Sequence, residues 1–538
     1  MKTEKISIKN FCRKPGQLIK LDNSQFLPLP PPYDNLEFQP NIAPLSEDAQ
    51  KKYETDLDGT TAVKFPRPET EEEKRELVEK FLSGLKKLFE AENNWTFMQP
   101  LFLTMEFCAK CQTCAASCPI YNESGKQEIY RPTFRADVLR RLYKKYVKAG
   151  GKLTAKITGN DIDVSWQMLA RLLELSYRCT ICRRCAQSCP IGVDNGLVTR
   201  ELRKIFSQEM GITVDPLHKL GSVQQLKAGS STGMTTPAFL DNIEFLEEEV
   251  EERTGMKFKW PIDKEGADVL LIHNAGEYLA WPENPEAFAI ILEAAGVSYT
   301  LSSEALGYDS VNYGVWYDDV QFAKVALKHA EIAKNLGVKK IVLGECGHAH
   351  KALTVIADRV LPGDFQIPRE SSLTYLHELL VKEKRLKLDA SRNDDMITTL
   401  HDPCNVVRLM GIVKPQRDLI KLVSNHFREM EPHGVTNFCC GGGSGFAITQ
   451  DLNFPDWRHS ISSRAKMRQI LDTFQDVLDP EQRKYVCAPC SNCKGAMRDM
   501  FDAYGLFDRC NIFYGGLVEL IVNAMVDVPE GFLEWEWH

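Results

Sequence analysis

Two copies of one cysteine pattern restrict what this chain can fold into more than any other feature. In each copy, four cysteines are separated by two, two and three residues, and proline follows the last. The copies are Cys108, Cys111, Cys114 and Cys118 before Pro119, and Cys179, Cys182, Cys185 and Cys189 before Pro190. With 17 cysteines in 538 residues, the chain is neither a small disulfide scaffold nor ordinary in its cysteine content.

This spacing is the one by which bacterial ferredoxins hold [4Fe–4S] clusters. Three thiolates surround one cluster, and the fourth, before proline, reaches the other cluster. The first predicted ligand set is Cys108, Cys111, Cys114 and Cys189. The second is Cys179, Cys182, Cys185 and Cys118. Zinc is the alternative for CxxC pairs, but two complete copies with both prolines favour two cubane iron–sulfur clusters that relay single electrons.

A second set of cysteines lies near the C-terminus, in the segments HDPC, NFCCGGGSG and CAPCSNC. Its members are Cys404, Cys439, Cys440, Cys487, Cys490 and Cys493. Adjacent thiolates fit a simple tetrahedral site poorly, so these residues indicate a larger cluster of irregular shape. The glycines that follow Cys440 let the backbone approach such a body, and their N–H groups can hydrogen-bond its sulfur atoms. Zinc or unliganded core thiols are the alternative.

From Ala267 onward, predicted strands and helices alternate, which indicates parallel sheets covered by helices. Several strands end on cysteines, where parallel sheets collect their ligands. A shift of 130 residues places Asn274 on Cys404, so two copies of one α/β unit are predicted, the first without most of its thiols. The predicted divisions are a Pro-rich arm (1–66), a helical ferredoxin-type domain (67–215), a connector (216–266), a degenerate copy (267–385) and an intact copy with a tail (386–538). The fold class is α+β and multidomain.

Helical periodicity is clearest in the ferredoxin-type part. It predicts helices over residues 68–90, 134–147 and 166–177, the first with glutamates in its opening turn. One face of the second helix is basic: Arg135, Arg140, Arg141, Lys144, Lys145 and Lys148. We interpret that face as solvated, with docking of an acidic partner as the alternative. An acidic helix is expected over residues 245–252, at the end of the connector.

Charge and hydropathy exclude several functions. The net charge is −8 and no phosphate-binding loop, GxGxxG or HExxH motif is found, so neither nucleic-acid binding nor nucleotide chemistry is expected. The N-terminus has no apolar segment typical of a signal peptide, and no run reaches the ~18 apolar residues of a membrane span. We therefore expect a cytoplasmic protein with reduced thiols.

The segment NFCCGGGSG, with HDPC upstream and CxxC downstream, resembles the CCG domain of heterodisulfide reductases. That domain also occurs in iron–sulfur subunits of glycerol-3-phosphate, glycolate and lactate dehydrogenases. Two ferredoxin motifs followed by two CCG-type units is the family's order, and the resemblance covers residues 100–525. The degenerate first copy and the Pro-rich arm are most similar to the K-type subunits of membrane complexes associated with dissimilatory sulfite reduction.

The resemblance implies a noncubane [4Fe–4S] cluster that reacts with a disulfide. Its implied ligands are Cys404, Cys439, Cys440, Cys490 and Cys493, which we call the CCG thiol group. Cys487 competes with Cys493 for the CxxC pairing with Cys490. Cys346 is a further ligand, a thiol beside the open face of the cluster, or a buried strand-end thiol. His401 protonates a leaving thiolate or is structural.

The implied function is reduction of a disulfide or trisulfide, with a small sulfur-carrier protein as the expected substrate. The two cubanes would connect that site to a cytochrome b-type or quinone-linked membrane subunit, which would hold the chain on the inner face of the cell membrane with other complex subunits. The alternative is an electron-transfer subunit of a flavin dehydrogenase. Trp535 and Trp537 in the tail would dock on partners or pack on their own domain.

Overall fold

The computed structural model describes residue 66 and residues 68–304, 306–445 and 457–533. Almost all of the predicted Pro-rich arm, including Cys12, lies outside the described residues, as do Trp535 and Trp537. Among the residues described, no helix is long and apolar enough to cross a membrane.

Helices build the first part of the chain. They are α1 (Glu71–Lys87), α2 (Ala91–Asn94), α3 (Met98–Phe107), α4 (Thr113–Ala116), α5 (Pro119–Glu123), α6 (Pro132–Leu142), α7 (Gly151–Thr154), α8 (Trp166–Tyr177), α9 (Arg184–Gln187), α10 (Asn195–Lys204), α11 (Asp215–Leu217), α12 (Gln224–Ala228) and α13 (Thr236–Thr254). The predicted helix over residues 166–177 is confirmed at both ends. Helix α1 begins with a capping box, in which the Thr70 side chain accepts from the Glu73 N–H at 3.2 Å and Glu73 reaches back.

The basic helix is not solvated along its whole face, which corrects the sequence interpretation. Arg135 and Arg140 are buried, at 5% and 3% exposure. The Arg135 Nε donates to Thr199 Oγ1 at 3.3 Å, and the Arg140 Nε donates to the Met105 carbonyl at 3.0 Å. These guanidinium groups connect α6 to neighbouring helices, because a buried charged group is retained only where it is hydrogen-bonded.

The connector contains a longer helix than the one predicted over residues 245–252. Its acidic helix, α13, extends from Thr236 to Thr254 and ends on Gly255, which adopts a left-handed φ of 71°. Phe239 and Leu246 of α13 are buried in the same apolar core as strand residues Val269 and Leu271. The connector is therefore part of the core of the first α/β unit.

Two four-stranded parallel sheets follow, and their strand orders correspond. The first contains β1 (Val269–Ile272), β2 (Tyr299–Thr300), β3 (Lys340–Leu343) and β4 (Arg369–Ser371) in the order β2-β1-β3-β4. The second contains β5 (Met396–Leu400), β6 (Phe427–Arg428), β7 (Arg483–Cys487) and β8 (Ile512–Gly515) in the order β6-β5-β7-β8. Equivalent order and direction confirm a helical domain followed by two α/β units.

Helices cover both sheets. Those of the first unit are α14 (Ala275–Ala280), α15 (Glu283–Ala294), α16 (Asp319–Asn335), α17 (Gly347–Ala349) and α18 (Ser372–His377). Those of the second are α19 (Cys404–Leu409), α20 (Lys414–Val423), α21 (Arg464–Thr473), α22 (Ser491–Tyr504), α23 (Leu506–Cys510) and α24 (Leu517–Asn523). Short π-helical turns occupy Tyr143–Val147, Ile205–Glu209, His218–Val223, His350–Ile356, Glu378–Lys382 and Arg458–Ser462. Turns of 3₁₀ helix occupy Glu128–Tyr130, Tyr313–Trp316, Ala357–Arg359, Gly363–Phe365, Ala390–Asn393 and Gly434–Thr436.

The C-terminal cysteines gather at the carboxyl ends of the second sheet, as expected for an open parallel sheet. Cys404 begins α19 after β5, and Cys490 precedes α22 after β7. The first sheet contributes from the opposite side, since the Ser491 N–H donates to the Glu345 carbonyl at 2.7 Å. The candidate centre therefore lies where the strand ends of the two α/β units meet.

Candidate metal centre

The two ferredoxin motifs fold into equivalent loops, which we call the first ferredoxin loop (residues 108–118) and the second (residues 179–189). Lys110 and Gln112 have left-handed φ angles of 56° and 66°, and Ile181 and Arg183 repeat this at 49° and 61°. A short helix follows each loop, α4 in the first and α9 in the second. Both copies thus have left-handed backbone at the same positions. Such turns let three thiols surround one small cluster.

Each ferredoxin loop also approaches thiols of the other. Burial raises the pKa of Cys114 to about 11, and the charges of Cys108, Cys118 and Cys189 add to it. Burial likewise raises the pKa of Cys118 to about 12, with Cys182 and Cys179 as its thiol neighbours. The fourth cysteine of each motif therefore lies beside thiols of the other loop. The two four-thiol ligand sets remain our prediction.

The CCG thiol group converges in the second α/β unit. Cys439 shares hydrogen bonds with Cys404 and Cys440. Hydrogen bonds from Cys439 and Cys493 lower the pKa of Cys440 well below its usual value. Hydrogen bonds with Cys440 and Cys490 raise the pKa of Cys493. The structure thus brings all five members of the group together, with four of them buried.

Backbone N–H groups point at these sulfur atoms. The Gly441 N–H donates to Cys439 Sγ at 3.3 Å, and the Gly442 N–H donates to Cys440 Sγ at 3.4 Å. Gly441 has a φ of +90°, and a Cβ there would lie 2.1 Å from the Ser463 Oγ. Only glycine fits this position, and the glycine-rich segment forms a cradle suited to an anionic iron–sulfur body.

Cys487 does not belong to this group, which corrects its inclusion among the candidate ligands. It shares one face of β7 with Tyr485, and both pack in the apolar core that contains Val269. Val486 and Ala488 point to the opposite face, into the cluster of buried residues that contains the CCG thiols. Burial raises the pKa of the Cys487 thiol, and the charges of Glu345 and Glu519 raise it further. Cys493 is therefore the better partner of Cys490.

Cys346, from the degenerate copy, lies at the edge of the group. Burial raises the pKa of its thiol to about 12, and the charge of Cys490 also raises it. The Gly347 N–H donates to Cys490 Sγ at 3.2 Å. Asn274, at the position that corresponds to Cys404, donates from Nδ2 to Cys346 Sγ at 3.5 Å. Cys346 thus lies beside the thiols of the intact copy. The residue that contacts it, Asn274, occupies the position that Cys404 has in the intact copy.

His401 and a lysine that sequence reasoning missed complete the surroundings. One ring nitrogen of His401 and the sulfurs of Cys440 and Cys493 lie within 4.8 Å of one another. Burial and then Lys466 lower the pKa of His401, so its neutral form is favoured. Lys466 is fully buried, and its Nζ donates to Asn437 Oδ1 at 2.7 Å. Burial lowers the pKa of Lys466 to about 7, against the charges of Asp402 and Cys440.

The second ferredoxin loop is bonded directly to the CCG unit. The pKa of Cys182 is raised well above its usual value, first by a hydrogen bond with Cys439 and then by burial. Arg408 Nη1 donates to the Cys182 carbonyl at 2.8 Å. The Ser444 Oγ donates to the Cys179 carbonyl at 3.2 Å, and Arg203 Nη1 donates to that Oγ at 2.7 Å. One predicted cubane ligand therefore touches one predicted CCG ligand.

Two family models match the parts of the chain that carry these sites. The model of the 4Fe-4S dicluster domain matches residues 104–193, and the model of the cysteine-rich CCG domain matches residues 398–498. The chain thus carries the two domains of heterodisulfide-reductase-like iron–sulfur proteins and is similar to them. The converging thiols, the N–H donors to sulfur and the glycine cradle fit the 4Fe–4S clusters that the two domains indicate.

Curated relatives are similar to the chain over most of its length. It is 25% identical to an Hdr-like menaquinol oxidoreductase iron-sulfur subunit 2 of Archaeoglobus fulgidus, over 83% of each chain. It is 27% identical to an Hdr-like menaquinol oxidoreductase iron-sulfur subunit of Archaeoglobus profundus, over 78% of this chain and 79% of the relative. It is 26% identical to a subunit of the dihydromethanophenazine:CoB–CoM heterodisulfide reductase of Methanosarcina acetivorans, over 79% of this chain and 94% of the relative. No solved structure matches. These relatives support a redox role.

Proposed function

We propose that this chain is the catalytic iron–sulfur subunit of a membrane-associated complex that reduces a disulfide or trisulfide. The observation that carries the proposal is the position of the CCG thiol group. On one side Cys439 contacts Cys182 of the second ferredoxin loop, and on the other Cys440 lies beside His401. Electrons and protons can therefore reach one place from different directions.

The proposed cofactors are two cubane [4Fe–4S] clusters on the ferredoxin cysteines and one noncubane [4Fe–4S] cluster on the CCG thiol group. When bound, they supply carriers that accept and release single electrons. The protein supplies the sulfur ligands and the N–H donors of Gly441 and Gly442. It also supplies the buried ammonium of Lys466, whose positive charge favours the more reduced, more negative state of a nearby centre.

Reduction of the substrate consumes two electrons and two protons: RS–SR′ + 2e⁻ + 2H⁺ gives RSH and R′SH. The S–S bond breaks, and each sulfur leaves as a thiol after protonation. His401 is the proposed acid for the leaving thiolate, since its ring lies beside Cys440. Its neutral form is favoured at rest, and the negative charge that electrons bring to the neighbouring thiolates favours its protonation before the transfer. Lys466, whose charge acts on His401 and whose pKa burial lowers to about 7, is the adjacent ammonium that can return a proton to the imidazole after it has protonated the thiolate.

The proposed electron source is an integral membrane subunit of the cytochrome b or quinone-linked type. The proposed substrate is a small cysteine-bearing sulfur-carrier protein of dissimilatory sulfite reduction, as in complexes with K-type subunits. The Archaeoglobus relatives named as menaquinol oxidoreductase subunits support the membrane association. This chain would accordingly lie on the inner face of the cell membrane, held by other subunits of the complex.

The test is a reductase assay on the full chain, with its clusters reconstituted and with reduced viologen as electron donor. A carrier-protein trisulfide, a carrier-protein disulfide and a small heterodisulfide are compared as substrates. We expect dye oxidation with a carrier substrate, abolished in Cys439→Ser and retained in Cys510→Ala, a buried cysteine of α23. Failure with every disulfide, together with rapid electron exchange with a flavin dehydrogenase, would instead establish the electron-transfer role.

A further inference from the structure

A basic protrusion with an apolar tip projects from the helical domain. It comprises residues 143–159, from the π-helical turn after α6 through α7 and the turns that follow. Leu153 and Ile157 are 85% and 89% exposed, more than any other large aliphatic side chain described. Lys152 and Lys156 precede them in sequence and are also exposed. Each of these two uncovered aliphatic side chains directly follows an exposed lysine, so the segment is amphipathic at its surface.

The backbone holds this tip in a fixed shape. Gly150 adopts a left-handed φ of 70°, and a Cβ on Gly151 would lie 2.1 Å from the Lys144 carbonyl oxygen. The Thr158 N–H donates to the Thr154 carbonyl at 3.0 Å, which continues the helical turn beyond α7. Leu153 and Ile157, four residues apart, therefore point to the same side.

The lysines of the protrusion are concentrated on an otherwise acidic protein. Lys144, Lys145, Lys148, Lys152 and Lys156 lie within 13 residues, whereas the whole chain has a net charge of −8. Lys148 is paired with Glu106, at 2.9 Å. Lys145 is paired with Asp161, at 2.6 Å. Within the described part of the chain, no salt bridge is formed by Lys152 or Lys156, although the charge of Lys156 contributes to lowering the pKa of Asp161. Their charges are available to an external anion.

We propose that this protrusion rests on an anionic lipid surface. Leu153 and Ile157 would enter the headgroup boundary, and Lys152 and Lys156 would pair with lipid phosphates. A protein partner is disfavoured, because lysine is depleted from the cores of protein–protein interfaces, whereas interfacial membrane segments combine lysine with large aliphatic side chains. The inference goes beyond the proposed function, which requires partner subunits but no lipid contact.

The protrusion is bonded to the helix that leads into the first ferredoxin loop. Glu106, the partner of Lys148, lies two residues before Cys108. Phe102 of the same helix, α3, packs edge-on against Tyr143, with ring centroids 6.4 Å apart. A lipid contact by the protrusion would therefore bring the first ferredoxin loop, with its exposed Cys111, close to the membrane.

The experiment is flotation of the cluster-loaded full chain with vesicles of phosphatidylcholine alone or mixed with phosphatidylglycerol. We expect binding only to the anionic vesicles, weakened by salt. Each lysine near such a surface is worth about 1 kcal/mol, so Lys152→Gln/Lys156→Gln should weaken binding about 30-fold. Leu153→Ser/Ile157→Ser should weaken it further at high salt, where the apolar contribution remains.

Matched controls make equivalent chemical changes elsewhere: Lys80→Gln/Lys86→Gln on α1 and Leu220→Ser/Leu279→Ser, all exposed positions. Both controls should bind anionic vesicles like the unmodified chain, and visible cluster absorption should be equal in all variants. No binding to anionic vesicles, or equal loss in the controls, overturns the proposal. The proposal is also overturned if the protrusion variants bind vesicles normally but no longer bind the detergent-solubilised membrane subunit, because the protrusion would then contact a protein. Dye-driven disulfide reduction without vesicles stays unchanged, so failure here is distinguishable from failure of the proposed function.

Discussion

Arg408 holds the second ferredoxin loop against the CCG unit, and Arg408→Met tests what that contact does. The side chain is 8% exposed. Its Nε donates to the Val435 carbonyl at 2.8 Å, Nη1 donates to the Cys182 carbonyl at 2.8 Å, and Nη2 donates to the Asn437 carbonyl. Methionine keeps much of the apolar volume of the stem and removes the charge and all the donors.

The three bonds set the size of the effect. A hydrogen bond from a charged donor contributes about 1.5–3 kcal/mol, and a buried carbonyl left unpaired costs about 1–3 kcal/mol. Only the bond to Cys182 crosses from the CCG unit to the loop, so we expect a loss of about 1.5–3 kcal/mol in the contact between them, and a further loss of stability inside the CCG unit. Cys182 would then no longer be fixed beside Cys439, and electron transfer between their clusters should slow.

The assay reduces the reconstituted protein rapidly and follows the appearance of reduced CCG signal by freeze-quench paramagnetic resonance. Urea titration of the same samples measures the loss of stability. Arg253→Met is the control, because Arg253 is partly buried, donates to Glu286 at 3.2 Å and to the Phe532 carbonyl, and lies away from the ferredoxin loops. It should lose stability without slowing transfer. Unchanged transfer in Arg408→Met, or equal slowing in both variants, refutes the reasoning.

Three further outcomes are expected. Cys493→Ser should lose the iron of the CCG cluster, whereas Cys487→Ser should retain all the iron, as measured by iron content and Mössbauer spectra; the reverse result would return Cys487 to the ligand set. Lys466→Met should shift the CCG reduction potential to more negative values, since a buried positive charge is removed, and Lys466→Arg should restore the original potential. Equal potentials in all three proteins would show that the charge of Lys466 does not affect the cluster. Burial lowers the pKa of His350 from 6.5 to about 4, so its stabilising contribution is present above pH ~6.5 and is lost on acidification. That loss is about 2 kcal/mol at pH ~5, and urea titrations should show a shallower acid slope in His350→Gln.

The ferredoxin loops could be predicted because their chemistry is local. Spacing alone determines which three thiols can surround one body, and proline marks the residue that leaves the loop. The two α/β units could also be predicted, because alternating strands and helices recur in both copies, although the later strands of the second copy are displaced further along the chain. The replacement of the first CCG cysteine by Asn274 in the degenerate copy is apparent from the sequence alone.

The choice between Cys487 and Cys493 required the structure. Both make a CxxC pair with Cys490. Cys487 is the last residue of β7, so the face of the sheet that its side chain occupies depends on how far that strand extends. Side-chain alternation from Tyr485 would have decided the question, had the extent of the strand been known. The second CxxC, in contrast, lies at the start of α22, which turns Cys493 toward Cys440.

The positions of buried charged side chains were the least predictable feature of the molecule. Lys466 lies in a polar helix with no motif spacing, so nothing in the sequence relates it to the cysteines. Arg135 and Arg140 follow a periodicity typical of a solvated face, yet carbonyl and hydroxyl groups of other helices accept their hydrogen bonds in the interior. Such partners come from distant parts of the chain and depend on how the helices pack.

The central claim is that the CCG thiol group, and not the ferredoxin loops, holds the centre at which substrate sulfur reacts. Paramagnetic resonance of the oxidised, cluster-loaded chain with substrate thiol added tests it most directly. We expect a new signal, broadened by ³³S in the substrate, absent from Cys439→Ser while both ferredoxin-type signals persist after reduction. A signal that survives in Cys439→Ser, or one that shows no broadening by the substrate isotope, would contradict the account.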